Sequence, residues 1–505
     1  MRQIVIVGGG SAGWLSAGVI AADHAGAVQV TLIESPDVAP IGVGEGSWPS
    51  MRDTLRRIGV QESDFLRCCD AAFKQGSRFD GWLTGQGDDH YYHPFVLPQG
   101  FGETDLVAHW QRHQGVGARP FADTVSFQPR LCAHGRAPKQ ASTPQFAAVA
   151  NYGYHLDAGK FGAFLKAHCV EKLGVRHLLD HVVAINSAEN GDIASLRTAA
   201  HGDLAGDLYI DCSGMQSLLL GRHYQVPLRE QAHILFNDRA LAVQVPYPQP
   251  DAPIASQTTA TAQAGGWIWD IGLPSRRGVG HVYSSAHCDD AQAEAALRAY
   301  IGERDIATPR KISFTPGYRE RFWHRNCVAV GLAGGFIEPL EASALALVEM
   351  AAIAISDDLP FERATMDIVG RRFNERFTYS WERVIEFLKL HYVLSRRTDS
   401  DFWRDHRDSA SIPERLAELL QLWRHRAPAR SDFPRTGEVF PAASYQYILY
   451  GMGFDGQARA RGADHAGVAE QYFREAATLA ERMLPALPDN RTLLAHIARH
   501  GLPSI

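Results

Sequence analysis

The chain has 505 residues, 45% hydrophobic and 21% charged, an ordinary globular composition with room for a large core and more than one domain. Its 50 basic and 56 acidic side chains give a formal net charge of -6, so no broad basic surface is implied and nucleic acid is not an expected partner. The seven cysteines (Cys68, Cys69, Cys132, Cys169, Cys212, Cys288 and Cys327) form no C-x-x-C pair or metal-type spacing, so we expect reduced thiols, no metal and a cytoplasmic protein.

The chain opens on an apolar run from Ile4 to Ala22, interrupted by Gly8, Gly9, Gly10 and Gly13. A strand, a glycine turn and a helix explain it better than a signal peptide. Gln3 to Val7 and Val28 to Ile33 are short β-branched runs of the kind buried in parallel sheets, which makes a βαβ opening. A polar, aromatic segment from about residue 81 to 150 has the character of an insertion on this scaffold. A helix is expected over Asp157 to Leu173, and strands over His181 to Ile185, Leu208 to Cys212 and Cys327 to Val330. Helical periodicity then dominates: Ala342 to Ile355, Arg371 to Leu394, Ile412 to Leu422 and His465 to Leu487. No stretch is long and apolar enough to span a bilayer, and there is no internal repeat.

Gly8, Gly10 and Gly13 form G-x-G-x-x-G between the first strand and the first helix. The first glycine permits the tight turn, the second close approach to a pyrophosphate, the third helix packing; the helix N-terminus then offers free N–H groups to the phosphates. Glu34 closes the second strand about 20 residues on, where a carboxylate accepts from ribose hydroxyls and disfavours a 2′-phosphate. The motif alone does not separate FAD from NAD. Two later strand-turn segments, DLYIDCSGMQSL from Asp207 and NCVAVGLAGG from Asn326, have the form that returns the chain to a flavin, and no second glycine motif marks a nicotinamide domain.

Four stretches carry a family resemblance: IGVGEGSWP from Ile41, FKQGSRFDGW from Phe73, GGWIWDIGLP around Trp267, Trp269 and Ile271, and FIEPLEASA from Phe336. YHPF at Tyr92, VYSS at Val282 and FLKLHY at Phe387 add to it. Along most of its length the chain resembles the flavin-dependent tryptophan halogenases. The resemblance implies an α/β, Rossmann-like FAD-binding monooxygenase-type fold with an added helical C-terminal layer. It implies a flavin module over residues 1–345 and a mainly helical substrate-side subdomain over 346–505. It maps the catalytic lysine and glutamate onto Lys74 and Glu341, the halide-binding N–H groups onto Ser343 and Ala344, and the residues that sandwich the substrate onto His93 and Phe95. Cofactor contacts are expected from Gly8, Gly10, Ser11, Ala12, Gly13, Glu34, Val43, Gly44, Glu45, Gly331 and Leu340. Glu338, three residues before Glu341, is expected to be structural. The chain departs from the family pattern at Gly272, where the signature has proline, at Ala342, where serine is usual, and at Ala344, where glycine is frequent.

By this resemblance, FADH2 from a separate NAD(P)H-dependent reductase reacts with O2 to give a flavin hydroperoxide, and a bound halide attacks its distal oxygen. The hypohalous acid reaches Lys74, whose ammonium polarises it by hydrogen bonding or whose neutral amine forms a haloamine. Glu341 stabilises the cationic ring intermediate. Trp267 and Trp269 are expected to be packing residues on one strand face. The segment Phe433 to Phe454 lacks a convincing tyrosine pair with a glutamate-aromatic cluster to grip an amino acid's charged groups; Tyr445 and Tyr447 fall after that position. Free or substituted indole is therefore expected, and Ala344, in place of the frequent glycine at the halide site, leads us to expect bromide over chloride. The alternatives are a regioselective tryptophan halogenase, an aromatic monooxygenase of the same flavoprotein class and a flavin-binding protein that has lost its chemistry.

Overall fold

A computed structural model describes residues 2–38, 44–112, 119–302, 304, 306–458 and 466–504. It forms two compact units that interleave along the chain: Met1–Ala71, Leu156–Ala232 and Phe314–Trp381 in the first, Ala72–His155, His233–Ser313 and Glu382–Ile505 in the second. Neither unit coincides with a division at residue 345.

The first unit is built on a six-stranded sheet in the order Trp323–His324, Cys327–Ala329, Leu208–Asp211, Arg2–Val7, Val28–Glu34, Arg176–Leu179. All neighbours are parallel except the first pair. Strands buried on both faces need continuous apolar runs, and IVIV at Ile4 to Val7 supplies one. The helix Ser11–Asp23 follows, and its residues Gly13 through Ala21 are all buried. A helix apolar all round must be covered on several sides. Here the helices Ala158–Leu173 and Ser343–Asp357 cover it. Gly18 allows the first of these to approach, since a Cβ there would lie 3.2 Å from Cys169 Sγ.

The helix Ala158–Leu173 ends where its sequence says it should. The Asp157 carboxylate caps the Lys160 N–H, and Gly174 closes the helix in the left-handed conformation. The strand expected at His181 to Ile185 is Val182–Ser187, in a separate three-stranded antiparallel sheet of the same unit.

The second unit is organised by a seven-stranded sheet, in the order Arg310–Ser313, Arg239–Pro246, Arg276–Tyr283, Gly266–Gly272, Thr258–Gln263, Gly76–Asp80, His90–Pro94. Its pairings are antiparallel apart from Thr258–Gln263 with Gly76–Asp80. The segment expected as an insertion holds the edge strand His90–Pro94 and the short helices Leu106–Arg112, Phe121–Val125 and Gln128–Ala133. Two of the late helices expected from periodicity are present here as Glu414–Trp423 and Ala466–Ala486, and Ala442–Gly451 is a helix that the periodicity did not indicate. No helix among the described residues is long and apolar enough to cross a membrane.

Candidate active site

The nucleotide-binding turn is a close-packed backbone crossing. Gly8 has φ 122°, and a Cβ on it would lie 2.1 Å from the Cys212 carbonyl oxygen. A Cβ on Gly13 would lie 1.9 Å from the Gly8 carbonyl oxygen. Gly10 differs: nothing lies within 4 Å of its Cβ position, and no side chain caps the helix that it opens. The uncapped first turn above open space, beginning Ser11–Ala12–Gly13, suits a pyrophosphate. Gly9, outside the three motif positions, is also required. The Glu34 side chain lies against it, its Cδ 2.4 Å from where a Cβ would stand. Glu34 Oε2 accepts from Lys166 Nζ at 3.0 Å and sits 2.8 Å from His177 Nε2, which fixes the carboxylate at the strand end.

The two late strand-turn segments return to this point. Cys212 meets Gly8, and Gly331, at φ 68°, lies against Ala12, whose Cβ would be 2.8 Å from a Cβ at 331. These residues fit an FAD-type dinucleotide. Gly44 and Glu45 form part of the short strand Gly44–Gly46, and burial pushes the Glu45 carboxyl up to about 7. Val43 lies outside the described residues.

Glu341 and Ala342 are consecutive left-handed residues, with φ 63° and 55°. Neither is glycine, so this backbone costs energy and must be held by its surroundings. The Ala342 N–H donates to the Pro339 carbonyl, and the Trp48 indole N–H donates to the Glu341 carbonyl at 2.7 Å. The helix Ser343–Asp357 starts at once, with no side chain capping it. Ser343 and Ala344 thus stand in the uncapped first turn of this helix, the kind of N-terminus that can receive a small anion. Leu340 is fully buried beneath it. Glu338 and Glu341 are both buried, so burial does not separate them. Backbone does: Glu341 alone of the two belongs to the left-handed pair.

Lys74, His93 and Phe95 belong to the second unit. Lys74 ends the strand Ala72–Lys74, pairs with Gly153 across the ladder and is 1% exposed. Its Nζ lies 5.4 Å from the centre of the Phe95 ring. Burying an ammonium is costly, and an aromatic face recovers only part of that cost. The Lys74 charge also acts on His155. Burial first, then that charge, hold the His155 imidazole well below its usual range and hence neutral.

The Gln75 backbone ties this group together, donating to the Ser256 carbonyl at 2.7 Å and accepting from the Phe95 N–H at 3.1 Å. Gly76 lets the next strand approach, since a Cβ there would be 2.4 Å from the His93 carbonyl oxygen. His93 is buried, hydrogen-bonded through Nε2 to Ser444 Oγ at 2.9 Å, with the Phe387 and Tyr447 rings 5.7 and 6.2 Å away.

A buried amide network behind Phe95 was not legible in the sequence. Gln75 Nε2 donates to the Arg136 carbonyl. Gln128 donates to Gln75 Oε1 and to the Asn151 carbonyl, and accepts from the Val96 N–H. Asn151 donates to the Phe95 carbonyl. Only the adjacency of Gln75 to Lys74 was a signal; Gln128 and Asn151 are distant in sequence and match no motif.

Trp267 and Trp269 pack as expected. The first lies 6.3 Å from Trp82 between ring centres, and the second covers Gly280, where a Cβ would be 2.1 Å from the indole. At Gly272, the position of the missing proline, Ile254 and the Tyr247 hydroxyl stand 3.0 Å from a Cβ site. Tyr445 and Tyr447 are core residues.

A parallel sheet with a glycine turn and an uncapped helix is the arrangement of a dinucleotide-binding α/β fold. The chain belongs to the tryptophan halogenase family, whose model matches residues 3–467. Membership carries FAD and a halide with it. The chain is 31% identical over 98% of its length to the 7-chloro-L-tryptophan 6-halogenase KtzR of Kutzneria sp. (strain 744), covering 99% of that protein. The crystal structure of a tryptophan halogenase from Shewanella frigidimarina NCIMB 400 matches with a TM-score of 0.97 at 48% identity, over 100% of this chain and 99% of that one. A flavin-dependent halogenase from Brevundimonas sp. BAL3 matches with a TM-score of 0.87 at 32% identity, over 98% and 99%.

Proposed function

We propose that this enzyme brominates free or substituted indole in preference to tryptophan, with Lys74 and Glu341 as its catalytic residues. The observation that carries the substrate half is the state of the segment where an amino-acid clamp would stand. Its aromatic residues are spent on the core: Phe440 stacks on Phe387 with ring centres 3.7 Å apart, and Phe433 packs on Tyr445 at 4.7 Å. Its one carboxylate, Glu438, accepts from the Arg435 N–H of the same turn. Without a charged clamp from this segment, the ammonium and carboxylate of a free amino acid are left unpaired on burial.

Reduced FAD with O2 supplies the oxidant for the halide. The protein's own residues do the rest. Ser343 and Ala344 hold the halide through N–H groups. Lys74 hydrogen-bonds and polarises the hypohalous acid. His93 and Phe95 hold the ring by stacking and burial. Glu341 stabilises the ring cation and takes its proton. Ala344 adds a Cβ where glycine is frequent, and bromide, larger, less hydrated and easier to oxidise than chloride, tolerates that change better.

The test is a competition between equal indole and tryptophan with each halide in turn, read by mass spectrometry. 3-Bromoindole is the expected main product, because C3 is the most nucleophilic carbon of the ring; a chlorotryptophan substituted on the benzo ring overturns both halves.

The chain has one glycine motif and depends on a separate reductase for FADH2. Purified protein with FAD should therefore oxidise NADH no faster than free FAD does. Rapid NADH oxidation would show a reductase site of its own.

A further inference from the structure

We propose that Glu349 is a positioning residue for halide binding, whose carboxyl pins the helix Met51–Arg57, through Thr54 and Ser50, to the helix bearing the Ser343 and Ala344 N–H groups. This rests on the reading of those N–H groups as the halide site. Glu349 is 1% exposed and lies on the helix Ser343–Asp357, six residues after its start. That is roughly 9 Å along the axis from those N–H groups.

Its two carboxyl oxygens meet Thr54 Oγ1 at 2.5 Å and Ser50 Oγ at 3.2 Å. Thr54 also donates to the Ser50 carbonyl at 3.4 Å, so its oxygen is free to accept the acid's O–H. Two residues before Ser50, Trp48 holds the Glu341 carbonyl. One short segment, Trp48 to Thr54, therefore grips both the strained turn and the helix that follows it.

The charged groups around Glu349 do not favour its ionisation. Asp53 opposes it, and no cation pairs with it among the described residues. On the helix Met51–Arg57, Arg56 is paired with Asp53, Arg57 with Asp23 and Asp357, and Arg52 donates to the Pro49 carbonyl. The helix Ser11–Asp23 has no ionisable side chain before Asp23. Burial pushes the Glu349 carboxyl up from 4.5 to about 8, against the opposing effect of the Thr54 and Ser50 hydrogen bonds and with a smaller contribution from Asp53.

A carboxyl raised in the folded state stabilises fully below its unfolded value and loses that contribution as pH rises through the window, here from 4.5 to about 8. Once ionised, its charge also opposes an anion at those N–H groups, by on the order of tenfold in affinity at this separation.

The experiment compares the full-length native protein with Glu349→Gln, whose amide keeps the shape and both hydrogen bonds without titrating. Two quantities are followed across the same pH range: melting temperature, and bromide saturation of halogenation. Glu45 titrates nearby but is common to both proteins and drops out of the comparison. The native protein should lose melting temperature relative to E349Q as pH rises through the window, and its apparent bromide affinity should fall about tenfold above it while that of E349Q does not. A melting difference independent of pH overturns the uncharged acid. A widening melting difference with parallel bromide curves overturns its link to the halide. Bromide dependence in neither protein, with the melting difference widening, removes the Ser343 and Ala344 N–H groups as the halide site and leaves the pinning of the two helices standing.

Discussion

Replacing Lys74 by alanine should abolish halogenation, a fall of at least about 10²–10³-fold, while FAD binding is retained. The ammonium is buried against Phe95, and a buried cation needs partners that offset its desolvation, the Phe95 ring among them. The residues we propose to hold the dinucleotide belong to the first unit and Lys74 to the second, so the two functions should separate in the mutant. Flavin absorbance on titration and product analysis by mass spectrometry check both halves. Lys74→Met keeps the aliphatic stem and controls for the cavity that alanine leaves; it should be as inactive as alanine. Loss of flavin binding in either variant would move Lys74 to the cofactor site.

Glu341→Gln should slow halogenation by about 10²–10⁴-fold and leave substrate binding unchanged. The amide occupies the same volume, and the backbone hydrogen bonds that hold the turn, from Trp48 and within Pro339 to Ala342, do not involve the carboxylate. What is lost is the negative charge when the ring becomes cationic and the base that removes its proton. Single-turnover rates with pre-reduced flavin isolate this step from cofactor delivery. The same substitution at Glu338 is the comparison, and a mutant of Glu341 with near-native rate would transfer the role there.

The βαβ opening and the helix Ala158–Leu173 were legible because their signals are local: an apolar run, a glycine spacing, a capping aspartate. Gly8 and Gly13 stand where the backbone leaves no room for a Cβ, and Gly9 was missed because its requirement comes from Glu34, a residue distant in sequence. Lys74 and Glu341 were legible only through family resemblance. Nothing local announces that a lysine ending a three-residue strand is buried, or that two non-glycine residues in EPLEASA adopt positive φ. The interleaved units were not legible either. A segmental reading follows the order of the chain, whereas compactness depends on pairings such as Thr258–Gln263 with Gly76–Asp80, which lie far apart in it.

The amide network behind Phe95 has a consequence for how such an enzyme changes over time. Gln75, Gln128 and Asn151 hold the chain around Phe95 through main-chain atoms: its N–H, its carbonyl and the N–H of Val96. None of those bonds uses the ring. The course of the chain is thus set independently of the group it displays, so Phe95 can be exchanged for a smaller or more polar side chain without shifting the position from which that side chain projects. With Phe95 in the substrate-holding role we propose for it, a lineage, or an engineer, can change the group presented at this one residue while the surrounding frame stays as it is.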